Sequence, residues 1–268
     1  MLILSVGSAT LLIDGCFKRI VVHLEILSVF PILNSKMEKP EDCEDFFLKL
    51  PNSVAILGKT NTGKTTLLAK ILDRLPEITT ECCPISKLLI AYSHYQPIYE
   101  EMARSIQRDN PQCNVQIYNG YPEEFFNDTE FWVAPPGTQI MIVLDDINEV
   151  KPSFEKILRG QLHHSNASLF WVSQDSSSES KIVKNSLRQI GYYILTKSSH
   201  SGILLSHLAR LCFMYNPRVL HDAYHLAMTH QKTNFPYLII DLSVSCNPKN
   251  SLKTGLFCEE DSYIFRHV

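Results

Sequence analysis

The chain lacks several features that would settle its class at once. Its eight cysteines, Cys16, Cys43, Cys82, Cys83, Cys113, Cys212, Cys246 and Cys258, form no CxxC pair and no zinc-ribbon spacing, which excludes the common structural zinc modules. No excess of basic charge is present: 25 Lys and Arg stand against 28 Asp and Glu, for a net charge of −3. That balance excludes a strongly basic surface coating nucleic acid, while leaving room for a few local Lys or Arg contacts. No uninterrupted apolar run approaches the roughly 20 residues of a membrane-spanning helix. Residues 1–33 are apolar-rich, but Asp14, Lys18, Arg19, His23 and Glu25 interrupt them, and these charges follow the short apolar run instead of preceding it. Residues 1–36 are therefore expected to be a peripheral or poorly specified extension, with no membrane partner. Residues 37–268 are expected to form the main domain, and Met37 opens a polar stretch that offers an alternative start. There is no internal repeat, heptad run or low-complexity tail, so neither an array nor a coiled coil organises the chain.

What is present is a composition of 45% hydrophobic and 20% charged residues over 268 positions, enough for one α/β domain with a sizeable core. The organising stretch is Gly58-Lys59-Thr60-Asn61-Thr62-Gly63-Lys64-Thr65. It follows the apolar run Val54-Ala55-Ile56-Leu57 and leads into Thr66 and a helix with Leu67, Leu68, Ile71, Leu72 and Leu75 on one face, which Pro76 is expected to stop. This is a GxxxxGK[ST] loop at a strand-to-helix turn. Its glycines let successive N–H groups point inward, and the helix N-terminus adds its dipole, so a polyphosphate is held largely by main chain. Lys64 would reach the β- and γ-phosphates, and the Thr65 hydroxyl would ligate Mg²⁺. The cofactors expected are thus ATP and Mg²⁺, and the cysteines are expected to be reduced thiols inside a cell.

A second signal lies in Gln139-Ile140-Met141-Ile142-Val143-Leu144-Asp145-Asp146, a continuous apolar strand that ends in two carboxylates. This is the form of a Walker B strand: Asp145 would hold Mg²⁺ through water, and Asp146 would polarise the attacking water. A third apolar strand, Ser168-Leu169-Phe170-Trp171-Val172-Ser173, ends in Gln174. A strand closing on a polar amide soon after Walker B marks the additional-strand class of P-loop ATPases. There the extra strand lies between the loop strand and the Walker B strand, and Gln174 could bond both the γ-phosphate and the water.

Further strands are expected at Lys87–Tyr92, Asn114–Tyr118, Tyr192–Thr196 and Tyr237–Asp241, and helices at Ile98–Arg108, Gly202–Cys212 and Val219–Thr229. Ser93 to Pro97 is the loop at the carboxyl end of a strand, where α/β sheets border their ligand crevice. Strands alternating with helices argue for a mostly parallel sheet covered on both faces. Glu123 to Val133 reads as an acidic, aromatic stretch closed as a loop by Pro135-Pro136-Gly137, with Phe131 and Trp132 as packing residues. His163-His164 reads as loop, Ser176-Ser177-Ser178 as a mobile loop, and His221 and His225 as a solvated helix face, since no further ligands accompany them.

The loop at Gly58, the strand ending Asp145-Asp146, the His-His segment before a strand ending in Gln174, and Phe235-Pro236-Tyr237-Leu238-Ile239-Ile240-Asp241-Leu242 together resemble the FtsK–HerA-type genome-packaging ATPases. More narrowly, the chain resembles the packaging ATPases of Maverick/Polinton elements and adintoviruses over residues 50–268, including the tail Leu252–Phe257. The resemblance implies a homo-oligomeric ring motor that uses ATP to push double-stranded DNA into a capsid, with capsid proteins as further partners. It also implies a place in the nucleus or cytoplasm of a host cell. Such rings complete each site with an arginine from the neighbouring subunit; Arg159, Arg188 and Arg210 are candidates, the first two preferred for their closeness to active-site strands. The chain departs from the family at Gln174-Asp175-Ser176, where Gln-Asn and an apolar residue are common, and at Lys197-Ser198-Ser199-His200, where a Lys-Asn-Pro-Arg-Asp-like stretch is usual. The residues also fit a degenerate or host-retained nucleotide-binding protein that serves as an interaction module. A small-molecule kinase or GTPase fits less well, because no Arg-rich lid is apparent and Thr196-Lys197-Ser198-Ser199 imitates a guanine reader poorly.

Overall fold

A computed structural model of the chain describes residues 10–13, 16–19, 35–38, 47–79, 83–147, 150–174, 181–197, 201–213, 216–244 and 246–267. The chain forms two compact units, residues 1–33 and 34–268. In the first, β1 (Thr10–Ile13) and β2 (Cys16–Arg19) pair antiparallel, with Ile13 facing Cys16. Among the described residues no helix is long and apolar enough to cross a membrane.

The second unit is built on a ten-stranded sheet. Its strands in chain order are β3 (Ser35–Glu38), β4 (Ser53–Gly58), β5 (Ile85–Tyr92), β6 (Asn114–Asn119), β7 (Gln139–Asp145), β8 (Ala167–Gln174), β9 (Tyr192–Thr196), β10 (Tyr237–Asp241), β11 (Leu252–Thr254) and β12 (Tyr263–His267). In space they run β3-β12-β11-β10-β9-β4-β8-β7-β5-β6. From β9 to β6 every pairing is parallel; from β9 through β10, β11 and β12 to β3 every pairing is antiparallel. The sheet is thus mostly parallel at its centre, as expected, and β8 lies between β4 and β7, the position of the additional strand.

Burial follows this order. Central β4 and β7 are buried at every position, which is why they read as continuous apolar runs; edge strand β6 is half-buried or exposed throughout. Val54 and Ile56 of β4 pack on one face with Leu68 and Ile71 of α1 (Lys64–Asp73), while Ala55 and Leu57 face the other. After α2 (Leu75–Ile78), α3 (Ile98–Asp109) adds Tyr99, Met102, Ala103 and Ile106 to the first face, one helical stripe. The second face is covered by Phe154 of α5 (Pro152–Lys156), Leu162 of α6 (Leu162–His164), Leu208 of α8 (Ser201–Cys212) and Leu220 and Ala223 of α9 (Arg218–His230). Short helices α4 (Glu123–Asn127) and α7 (Lys181–Leu187) complete the set.

Several local expectations need correction. Pro76 does not stop the first helix: α1 ends at Asp73, Arg74 leaves helical geometry at φ −116°, and Pro76 sits in the first turn of α2, where its missing N–H costs no bond. Glu123–Asn127 is helical where a loop was expected, because two acids suit a helix N-terminus and Phe126 is buried. Phe131 and Trp132 pack as expected, and Trp132 Nε1 donates to Phe126 O at 3.1 Å. His163 and His164 are helical as well. A π-type turn at Ile157–Gln161 joins α5 to α6, and Phe154, Ile157, Leu158 and Leu162 form one buried stripe through it; Gly160 interrupts that stripe only in the sequence. The strand at Tyr237–Asp241 forms as expected but runs antiparallel to β9. β3 spans the boundary at residue 36 and pairs with β12. The expected loop at Ser176–Ser178, both departures beyond Gln174 and Lys197, Cys82 and most of residues 1–33 lie outside the described residues.

Candidate nucleotide site

The carboxyl ends of β4, β7, β8 and β9 meet around the loop from Gly58 to Thr65. A Cβ at Gly58 would stand 2.0 Å from Thr196 Oγ1 of β9, so only glycine lets the loop leave the strand there. Thr196 braces the loop further: its Oγ1 donates to Thr62 Oγ1 at 2.7 Å and lies 3.3 Å from Leu57 O. Thr62 Oγ1 also lies 2.7 Å from Lys59 O, to which it donates. Thr196, buried and committed to the loop, is therefore not placed to read a base. Asn61 and Gly63 take left-handed backbone conformations, at φ 63° and 79°, geometry that Asn tolerates and Gly adopts freely.

Lys64, only 9% exposed, opens α1 and donates from Nζ to Lys59 O at 2.9 Å. Its ammonium is thus folded onto the loop that would surround a phosphate. Thr65 follows, and its Oγ1 donates to Asp145 Oδ2 at 2.9 Å. The two residues expected to serve a metal are thereby adjacent in space, 80 positions apart in sequence.

Asp145 is 2% exposed. Burial pushes its carboxyl above the ordinary range and the neighbouring Asp146 adds to this, while hydrogen bonds from Thr65 and Tyr99 and the charge of Lys64 oppose it. Tyr99 is a residue that sequence reasoning missed. Its buried hydroxyl donates to Asp145 Oδ2 at 2.9 Å, and burial, followed by the charge of Asp145, raises its own pKa far enough that it stays a donor. The ring stacks on Tyr92 at 4.9 Å between centroids, and Tyr95 packs edge-on against both. The available signal was position: Tyr99 sits in the first turn of α3, directly after the crevice loop Ser93–Pro97.

Asp146 leaves the strand with φ 54°, which turns the chain sharply and is a conformation Asp accepts better than most residues. Its N–H donates to Val172 O at 3.0 Å and its carbonyl accepts from Ser93 Oγ at 2.6 Å. Its carboxylate accepts from Gln174 Nε2 at 3.0 and 3.2 Å. Parallel register brings this about, since Asp145 faces Val172 on β8 and Gln174 faces Gly58 on β4. Thr60, Asn61, Gly63, Lys64, Thr65 and Thr66 line one cleft of about 190 Å³ together with Asp145, Asp146, Gln174 and Gln96. Gln96, from the crevice loop, was not singled out in the sequence.

Gly58, Lys59 and Thr62 shape the loop from behind and do not line this cleft. Arg159 and Arg188 do not line it either. Arg159 is 62% exposed and ion-paired with Glu155 one turn earlier; Arg188 is exposed in the turn after α7, and Arg210 is exposed on α8. The donors at Thr65 and Asp145 are hard oxygens and suit Mg²⁺, which uses one or two protein ligands plus phosphates and water. Among the described residues no group of three or more His, Cys, Asp or Glu forms an all-protein metal cage.

Strand order, with a glycine-rich loop leaving β4, paired acids leaving β7 and an amide leaving the inserted β8, defines a P-loop NTPase fold of the additional-strand class. Comparison with known proteins gives remote likenesses. The chain is 23% identical over 201 residues to an ORC1-type DNA replication protein of Thermococcus onnurineus, a match covering 65% of this chain and 48% of that protein. It thus spans about half the length of the curated relative it matches. Among solved structures, the genome packaging NTPase of Sulfolobus turreted icosahedral virus 2, in complex with ATP-γS, aligns at TM-score 0.42 and 15% identity over 71% of this chain and 92% of that one. The cytoplasmic domain of the type VII secretion ATPase EccC of Thermomonospora curvata aligns at TM-score 0.46 and 15% identity, over 81% and 25%. No protein-family model matches the chain.

Proposed function

We propose that the chain is a Mg²⁺-dependent ATPase whose hydrolysis drives double-stranded DNA through a ring of its own copies. The observation that carries the hydrolytic part is the convergence in one cleft of Lys64, the Thr65–Asp145 pair and the Asp146–Gln174 pair. Loop N–H groups and Lys64 bind and orient the phosphates. Thr65 and Asp145 would hold Mg²⁺, which supplies charge neutralisation on the phosphate oxygens when bound. Asp146 accepts a hydrogen bond from the attacking water and draws off its proton. Gln174, already bonded to Asp146, presents its amide where water and terminal phosphate meet.

Support for DNA as the partner comes from the motif resemblance to genome-packaging ATPases and from a sequence relative named for DNA replication. Maverick/Polinton-type packaging with capsid proteins, inside the nucleus or cytoplasm of a host cell, is the most specific form of the proposal. In a ring, surface-exposed Arg159 or Arg188 would reach the neighbouring subunit's cleft. The test is phosphate release by wild type, Lys64→Ala and Asp146→Asn, with and without double-stranded DNA, over a range of protein concentration and salt. Both variants should lose at least about 100-fold in turnover, and DNA should stimulate the wild type in a salt-sensitive way. Equal background rates in all three proteins would end the ATPase proposal; turnover indifferent to DNA would end the motor part alone.

A further inference from the structure

The phosphate cleft, at about 190 Å³, is smaller than the roughly 300 Å³ from which sites for drug-sized ligands begin. It takes a phosphate chain, and the nucleoside must lie beside it. Asp145, Asp146 and Gln174 line the cleft from the ends of β7 and β8, and Thr66 lines it from the first turn of α1. Thr66, exposed at the rim, is followed one turn later on the same helix face by Lys70, about 6 Å further along the axis. Lys70 lines a second cavity, of about 410 Å³, together with Gln231, Thr233, Asn234 and Glu260.

Directly after that turn comes Phe235. Its ring lies against the phosphate loop, where a Cβ on Gly63 would stand 2.4 Å from Phe235 Cδ1, yet the residue is 41% exposed. The turn holds the backbone on either side of Phe235. Thr233 Oγ1 accepts from Phe235 N at 3.2 Å, and Gln231 holds the start of β10 through Tyr237, donating from Nε2 to its carbonyl at 2.6 Å and accepting from its N–H at 3.3 Å. A partly exposed aromatic ring next to a phosphate-loop glycine is suited to stack on a base.

We propose that Phe235 and the turn Gln231–Asn234 form the nucleoside subsite of this cleft, with a purine base stacked on the Phe235 ring and the exposed Asn234 amide at the base edge. This rests on the nucleoside-triphosphate site argued above. Gly63 must then be glycine for two reasons, its backbone conformation and the room it leaves for the platform.

The test is calorimetric titration of the full chain, in Mg²⁺, with ATP and separately with inorganic triphosphate. The proteins are wild type, Phe235→Ala, Phe235→Leu, Phe235→Tyr and Lys64→Ala. Phe235→Ala and Phe235→Leu should bind ATP about tenfold more weakly and triphosphate as the wild type does, while Phe235→Tyr should match wild type for both. Leucine keeps an apolar cover over Gly63, so its loss reports the aromatic face and not the packing. Lys64→Ala should weaken both ligands. Unchanged ATP binding in Phe235→Leu would overturn the subsite, as would an equal loss of ATP and triphosphate, which would make the ring a brace for the loop. A wild type that binds neither ligand would instead defeat the triphosphate site itself.

Discussion

The parallel half of the sheet, β9-β4-β8-β7-β5-β6, and its antiparallel extension, β10-β11-β12-β3, are joined through the β9–β10 pairing but use polar groups in opposite ways. In the extension such groups close on one another. Lys253 donates from Nζ to Asp241 Oδ2 at 2.7 Å, with side chains 3% and 5% exposed, and Asp241 Oδ1 accepts from Ser243 N and Oγ at 3.0 and 2.6 Å. The Tyr237 hydroxyl donates to Glu260 and accepts from Leu256 N. At the cleft, Lys64, Asp145, Asp146 and Gln174 also have partners, but they converge on a space that a ligand can enter. Polar groups satisfied internally specify how strands meet; those gathered around a cavity keep a second set of partners in prospect.

That contrast can be broken most forcefully in the extension. Lys253→Met leaves the Asp241 carboxylate buried without its ammonium and should lower stability by about 3–5 kcal/mol, read by urea unfolding. Turnover per folded molecule should stay at the wild-type value; a loss there would show that the extension shapes the cleft. Replacing both partners, Lys253→Met with Asp241→Leu, should recover part of the stability, because an apolar pair leaves no uncompensated charge. Within the cleft the opposite pattern is expected. Gln174→Ala should reduce phosphate release about 100-fold while nucleotide affinity and the unfolding midpoint hold.

Smaller effects sharpen the boundary between chemistry and support. Tyr99→Phe removes one donor from Asp145 and should weaken Mg²⁺ about tenfold, measured as the Mg²⁺ concentration needed for tight nucleotide binding; metal-free nucleotide affinity should not move. An equal change in both would make Tyr99 a packing residue only. Smallest of all is Glu259, whose carboxyl is held down to about 2 from an ordinary 4.5, first by a hydrogen bond from Lys70, then by a backbone N–H, and further by the charges of Lys70 and Arg74. Since the folded pKa lies below the unfolded one, the contribution is full above about pH 4.5 and is lost as pH falls towards 2. Exposed as it is, the cluster contributes at most about 1 kcal/mol. Glu259→Gln should therefore shift the unfolding midpoint slightly at pH 7 and progressively less as pH falls through about 2.

Much of the parallel half was legible because its central strands are buried on both faces and read as apolar runs with polar punctuation at their carboxyl ends. Val54–Leu57, Gln139–Asp145 and Ser168–Gln174 needed only that rule. The extension was harder. Leu252–Thr254 is three residues long, and β3 and β12 gain their pairing from opposite ends of the chain, so no local pattern announces them. The helix through Gly160 was hidden because propensity argues against it, and only the buried stripe from Phe154 to Leu162 carries it across.

In the site, local chemistry and spatial assembly divide in the same way. The phosphate loop, the paired acids and the closing amide are each written in a few consecutive residues, since backbone conformation and strand ends are local properties. By itself, then, the sequence determined the phosphate-loop motif, the paired acids and the strands that carry them. Only the tertiary structure decided that Tyr99 shares the Asp145 carboxylate with Thr65, that Thr196 braces the loop, and that Phe235 lies on Gly63. Those contacts join residues up to 172 positions apart, and distance along the chain gives no measure of which side chains a folded sheet brings into bonding range.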